Sequence, residues 1–194
     1  MIPQRRPGGA GVWLLAAVAL LLAPHLAPAA GARPPAHARR HAATAPASRA
    51  AAPSGRALAA NPRITTTRAH GCNPRPDLRS PRLDSRVAEL LGAITAHGWR
   101  VRISCAHTGH SKHVKGTTRV SNHHVWRAVD LDMVDGRPVG PSNTSARALA
   151  RWLGNLRGGL RPSEVGSPWL FGPGPWFSDD GHQGHIHIGF GSRR

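Results

Sequence analysis

Acidic residues are scarce in this chain, cysteine is nearly absent, and no apolar run is long. Nine Asp and Glu stand against 26 Lys and Arg in 194 residues, for a formal net charge of +17. None of the nine acids lies in residues 1–62, which hold seven Arg. The apolar run from Val12 to Ala23 is twelve residues. A helix crossing about 30 Å of hydrocarbon needs roughly 20, so this run does not span a bilayer. The chain shows no internal repeat, which excludes a solenoid. Its Arg residues are spread out with no recognised nucleic-acid motif, so the charge implies attraction to anionic polymers rather than specific nucleic-acid readout.

What is present divides the chain into three parts. Arg5 and Arg6 precede the apolar run, and small residues follow it (Ala27-Pro28-Ala29), the pattern of a secretory signal peptide over residues 1–32. Export follows as the expected localisation, extracytoplasmic or secreted, with no transmembrane segment left after cleavage. Residues 33–62 are mostly Ala, Pro and Arg, with Leu58 as the only large apolar side chain. Such a stretch buries too little surface to offset its ordering entropy and reads as a disordered arm. Residues 63–194 carry the domain, expected to act as a monomer. Its two cysteines, Cys72 and Cys105, suit an exported protein as a disulfide; two buried free thiols are the alternative.

Within the domain, Ser80-Pro81 reads as a helix start, followed by Leu83, Val87, Leu90, Leu91 and Ile94 at helical spacing and a stop at Gly98. Ser142 reads as the cap of a second helix with Ala146, Leu149, Ala150, Leu153 and Leu156 on one face and Gly158-Gly159 as its stop. Strands are expected near residues 99–104, 127–134 and 185–190. Helices mixed with a few strands, without βαβ regularity, predict an α+β fold: a small antiparallel sheet flanked by two or more helices.

Chemistry concentrates on the last two strands. Alternation puts Val129, Leu131 and Met133 on one face and Asp130 and Asp132 on the other; likewise Ile186, Ile188 and Phe190 oppose His185 and His187. If these strands pair antiparallel, a carboxylate and imidazoles converge on one face. His123, seven residues before Asp130, joins them only if the intervening loop turns back. Two His and one carboxylate with an open fourth position make a catalytic zinc site.

These residues resemble a known family. Ser121-Asn122-His123, then Arg127-Ala128-Val129-Asp130-Leu131, then His185-Ile186-His187 look like the M15 peptidases, the zinc D-alanyl-D-alanine carboxypeptidases and related endolysins. That group shares its metal-site fold with lysostaphin-type peptidases and the hedgehog domain. The resemblance implies Zn2+ held by His123, Asp130 and His187, and peptidoglycan peptides as substrate. Two positions depart from the pattern. Trp126 stands where the family has Gly, and would narrow the pocket, stack on a substrate or cover the site. Gly184 stands where the family has the acidic general base. His185 is the candidate replacement, as base or as a residue that orients a ligand; Asp179 and Asp180 are others. For substrate binding, Arg119 and Ser121 are the candidates, with Arg102 and His107 nearby. His107, His110 and His113 read as solvated loop histidines, Trp152 as core, and Trp169 and Trp176 as loop packing or sugar-stacking groups.

Overall fold

Glycine, proline and capping residues set where each element starts and stops. A computed structural model describes residues 53–192, and these belong to one compact unit. The expected signal peptide (1–32) and most of the expected arm lie outside the described residues. Four α-helices occur among them: α1 (Gly55–Ala60), α2 (Pro74–Arg79), α3 (Ser85–Ala96) and α4 (Thr144–Asn155). Strands β1 (Ile64–Thr66), β2 (Val101–Cys105), β3 (Ala128–Val134), β4 (Arg137–Pro138), β5 (Glu164–Gly166), β6 (Trp176–Phe177) and β7 (Ile186–Gly189) form one sheet. Its order is β1-β2-β3-β7-β5-β6, with β4 paired to β3.

The fold is α+β, as expected. The sheet is mostly antiparallel, but β1–β2 and β5–β6 pair in parallel. Among the described residues no helix is long and apolar enough to cross a membrane.

Three boundaries differ from the sequence reading. The folded body begins before residue 63, because α1 inserts Leu58 into the core at 1 % exposure. The helix expected from Ser80-Pro81 begins instead at Ser85, where the Asp84 carboxylate accepts from the Arg86 amide at 2.9 Å. Ser80 terminates α2, whose own start is set by Pro74. The second long helix is capped by Asn143 rather than Ser142. Asn143 Oδ1 accepts from the Ala146 amide, while its Nδ2 donates to the carbonyls of Val134, Arg137 and Pro138. That buried amide fastens α4 to the β3–β4 hairpin, a service Ser lacks the second donor to perform.

The core lies between the helices and one face of the sheet. Val87, Leu90, Leu91 and Ile94 of α3 and Ala146, Leu149, Ala150 and Leu153 of α4 pack with Ile103, Val129, Leu131, Val165, Ile186 and Ile188. Side chains alternate across strands, so Asp130 and His187 project from the other face. The register then makes them direct neighbours, Asp130 opposite His187 and Val129 opposite Ile188. Cys72 and Cys105 are disulfide-bonded across 33 residues, tying the chain after β1 to the end of β2. In the chain-entropy model a closed loop of this size stabilises by about 3–4 kcal/mol.

Candidate metal centre

Three side chains from separate parts of the chain meet on the polar face of the sheet. β3 supplies Asp130, β7 supplies His187, and the long connection from β2 to β3 supplies His123, which is fully buried. That connection does turn back over the sheet. His123 Nε2 lies 3.2 Å from Asp130 Oδ1 and 3.1 Å from His187 Nδ1, and His187 Nδ1 lies 3.0 Å from Asp130 Oδ1.

The opposite ring nitrogens fix what these three atoms are. His123 Nδ1 faces the Ala106 carbonyl, which can only accept, so that nitrogen carries the proton and Nε2 presents a lone pair. His187 Nε2 faces Glu164 Oε2 at 3.3 Å, so Nδ1 is the inward nitrogen. With a carboxylate oxygen, that makes three potential acceptors converging, a set that a cation would satisfy. Metal–nitrogen bonds of about 2.0–2.1 Å in a tetrahedron put ligand atoms about 3.3 Å apart. The observed separations fit that figure, and the outer nitrogens have the carbonyl and carboxylate partners typical of metal-bound histidines.

Without a metal, a proton serves as the cation. Burial lowers the His187 pKa, but its hydrogen bonds to Asp130 and Glu164 outweigh this and raise it to about 9. Burial pushes the Asp130 carboxyl up, yet the two facing imidazoles hold it well below the usual carboxylate range.

Cys105 Sγ also belongs to this neighbourhood: with His123 and Asp130 it forms a buried group, its ligand atoms within 4.8 Å of one another, that could hold a metal ion. In the folded chain that sulfur is bonded to Cys72 and is no thiolate. His187 Nδ1, by contrast, lies 3.1 Å from His123 Nε2 and 3.0 Å from Asp130 Oδ1 and carries no such bond.

Glu164 is the residue that sequence reasoning missed. It lies on the three-residue strand β5, too short to show periodicity. Its carboxylate accepts from Asn122 Nδ2 at 2.9 Å and from His187, and pairs with Arg119. The His187 hydrogen bond is the largest influence holding its pKa down, to about 2, against the effect of burial. Gly189 gave an indirect signal. A Cβ there would sit 2.8 Å from Glu164 Oε2 and 3.0 Å from His187 Nε2, so a side chain would break the contact.

The other candidates divide. Ser121 is buried and lines the cleft, and its Oγ accepts from the His123 amide at 3.2 Å. Arg119 lies on the wall of the adjoining cleft with its guanidinium engaged by Glu164. Arg102 and Asp132 form a two-pronged ion pair with each other, at 2.9 and 2.8 Å, and neither lines that cleft. His185 Nε2 stands 3.8 Å from Asp130 Oδ1 at the cleft edge. Burial lowers the His185 pKa, keeping the imidazole neutral, although Asp130 pulls the other way.

The cleft, about 710 Å³, has Lys115 and Arg119 in its lining together with Phe177, Asp179 and Asp180. Asp179 is bonded to His182 Nδ1 at 2.6 Å. His110 is no solvated loop histidine: it stacks on His123 with ring centres 4.0 Å apart. His107 donates from Nδ1 to the His123 carbonyl at 3.0 Å. Trp126 does not line the cleft; it stacks on His107 at 3.8 Å beneath Arg82. Its φ of +62° lies in the region that favours glycine, a backbone cost that the ring stacking on His107 offsets. Trp152 packs on Trp99. Trp169 packs against the core, and Trp176 does so while donating to the Ala150 carbonyl.

Compared with protein-family models, curated proteins and solved structures, the chain matches none.

Proposed function

We propose that this protein is a secreted, zinc-dependent peptidase-like hydrolase acting on peptidoglycan stem peptides, as a D,D-carboxypeptidase or by a related cleavage. The observation that carries the reading is the convergence of His123 Nε2, Asp130 Oδ1 and His187 Nδ1 at 3.0–3.2 Å beside an open polar cleft. Those three atoms would hold the ion. Bound there, zinc supplies Lewis-acid polarisation of a scissile carbonyl and brings the acidity of water towards a pKa of about 7.

The chain's own groups do the rest. Glu164 and the Ala106 carbonyl keep both imidazoles turned with their lone pairs inward. Neutral His185 accepts a proton at Nε2 from the attacking water and returns it to the departing amine. Lys115, exposed in the cleft lining, offers a cation to a substrate carboxylate. The positive charge of the whole chain favours residence among anionic wall polymers.

A second reading, a metal-holding module that binds wall peptides without turnover, is favoured by one observation. At Gly184, the position of the acidic base in the resembling family, there is no proton-accepting side chain, and a Cβ would meet nothing within 4 Å. Zinc analysis and muropeptide digestion of the purified chain separate the two. One zinc per chain with D-alanine release or peptide cleavage supports the first reading. Zinc without cleavage supports the second, and no zinc removes both. Because Gly184 has open space and no left-handed φ, Gly184→Asp is tolerated sterically. It should raise turnover at least about tenfold, since general-base assistance is worth about 10²–10⁴.

A further inference from the structure

The disulfide sits against the metal centre, and its position gives it a second consequence. Cys105 is paired in the sheet with Asp130 itself, so the last residue of β2 faces a metal ligand across the ladder. Its sulfur lies within 4.8 Å of ligand atoms of His123 and Asp130. A zinc-bound thiolate, with a metal–sulfur bond of about 2.3 Å, sits roughly 3.6 Å from nitrogen ligands in a tetrahedron. Rotation about the Cys105 Cα–Cβ bond, now blocked by the bond to Cys72, would let that sulfur turn toward the centre.

We propose that the Cys72–Cys105 disulfide keeps a fourth ligand out of the metal centre. Released from Cys72, Cys105 completes a Cys-His-His-Asp set with His123, His187 and Asp130. Three protein ligands leave a position open for chemistry, whereas four close the site into a structural one. Thiolate is moreover a ligand that zinc favours. Oxidation therefore does more than shorten the unfolded chain: it withholds a competing donor that lies beside the centre. The inference rests on the reading of His123, Asp130 and His187 as metal ligands.

Reduction by a phosphine balances as disulfide plus phosphine plus water giving two thiols and phosphine oxide. The phosphine supplies two electrons to the S–S bond, and water supplies the oxygen and both protons. Cys105 then loses its thiol proton to solvent on binding the metal.

The experiment loads Co2+ as a spectroscopic stand-in into four samples: the oxidised full chain, the phosphine-reduced chain, and the reduced variants Cys72→Ser and Cys105→Ser. Both variants lack the disulfide, so a purely stabilising role predicts that they behave alike. We expect a thiolate-to-cobalt charge-transfer band in the near ultraviolet for the reduced chain and for C72S, and none for the oxidised chain or C105S. Zinc competition against a chelating dye should show C72S binding about tenfold or more tighter than C105S.

Cobalt bound in all four samples without the band overturns the proposal. A band in C105S overturns the choice of Cys105. Cobalt bound only by C72S and the reduced chain, with the band, overturns the open hydrolytic centre but upholds the latent ligand. Binding by none removes both.

Discussion

The strand pair β3–β7 and the connection from Ala106 to Arg127 serve the same centre by different means. On the strands, the ladder does the positioning: Asp130 and His187 are opposite each other because the backbone register makes them so. Their core-facing neighbours, Val129, Leu131, Ile186 and Ile188, hold that register, since a one-residue slip would put the apolar set on the wrong face. The connection has no ladder with β3 to rely on. It is held by separate ties. Asp77 accepts from the His107 amide, the Thr108 amide and the Thr108 hydroxyl; Asp84 donates its amide to the Trp126 carbonyl; Cys105 is bonded to Cys72 just before it. A proposed ligand on a strand thus shares the stability of the core, whereas the proposed ligand on the connection depends on a few polar contacts.

The largest expected effect ignores this difference. His123→Ala and His187→Ala should each abolish stoichiometric metal binding, read as metal content after dialysis, because a site with three protein ligands cannot spare an imidazole. Asp77→Ala should separate the regions. Removing a buried carboxylate with three donors should cost about 3 kcal/mol in a denaturant titration, and metal affinity should fall with it although Asp77 touches no ligand. If affinity is unchanged, the connection does not need its anchor.

Glu164→Gln probes the strand side. Loss of the partner that orients a metal-bound imidazole typically costs 10–100-fold in affinity, so a chelator competition should register a weakening of about that size with little change in unfolding midpoint. The smallest effect is expected for Trp126→Gly. Relief of the positive φ, worth about 1 kcal/mol, opposes loss of the His107 stack, worth about 0.5–1.5 kcal/mol beyond burial. The net change in stability should stay within about 1 kcal/mol.

How much of this was readable beforehand follows the same division. The faces of β7 and of β3 as far as Leu131 could be taken from two hexapeptides, because period-two alternation is a local property of the backbone; past Leu131 a register shift against β2 leaves Met133 outside the core and buries Val134 instead. The burial of α3 and α4 followed from helical spacing, but not their first residues: Asp84 and Asn143 won over Ser80 and Ser142 through contacts to Arg86 and to the β3–β4 hairpin. Ser121 and Arg119, picked out as substrate contacts, do both line the cleft, but their ties to His123 and Glu164 were not legible. Glu164 itself was invisible, since a three-residue strand carries no pattern and its partner His187 is 23 residues away.

The amino-acid sequence by itself determined the local terms: the apolar faces, the scarcity of acids, the two cysteines, and the His and Asp residues with donor atoms suited to a metal. Only the folded chain decided which of those residues share a point in space. The return of the connection over the sheet brought in His123 and stacked His110 upon it, and the disulfide left the Cys105 sulfur beside the centre but bonded elsewhere. The physical reason is range. Alternation and capping act over a few residues, while a centre built from positions 123, 130, 164 and 187 is specified by strand register, by buried hydrogen bonds and by the core that holds them in place.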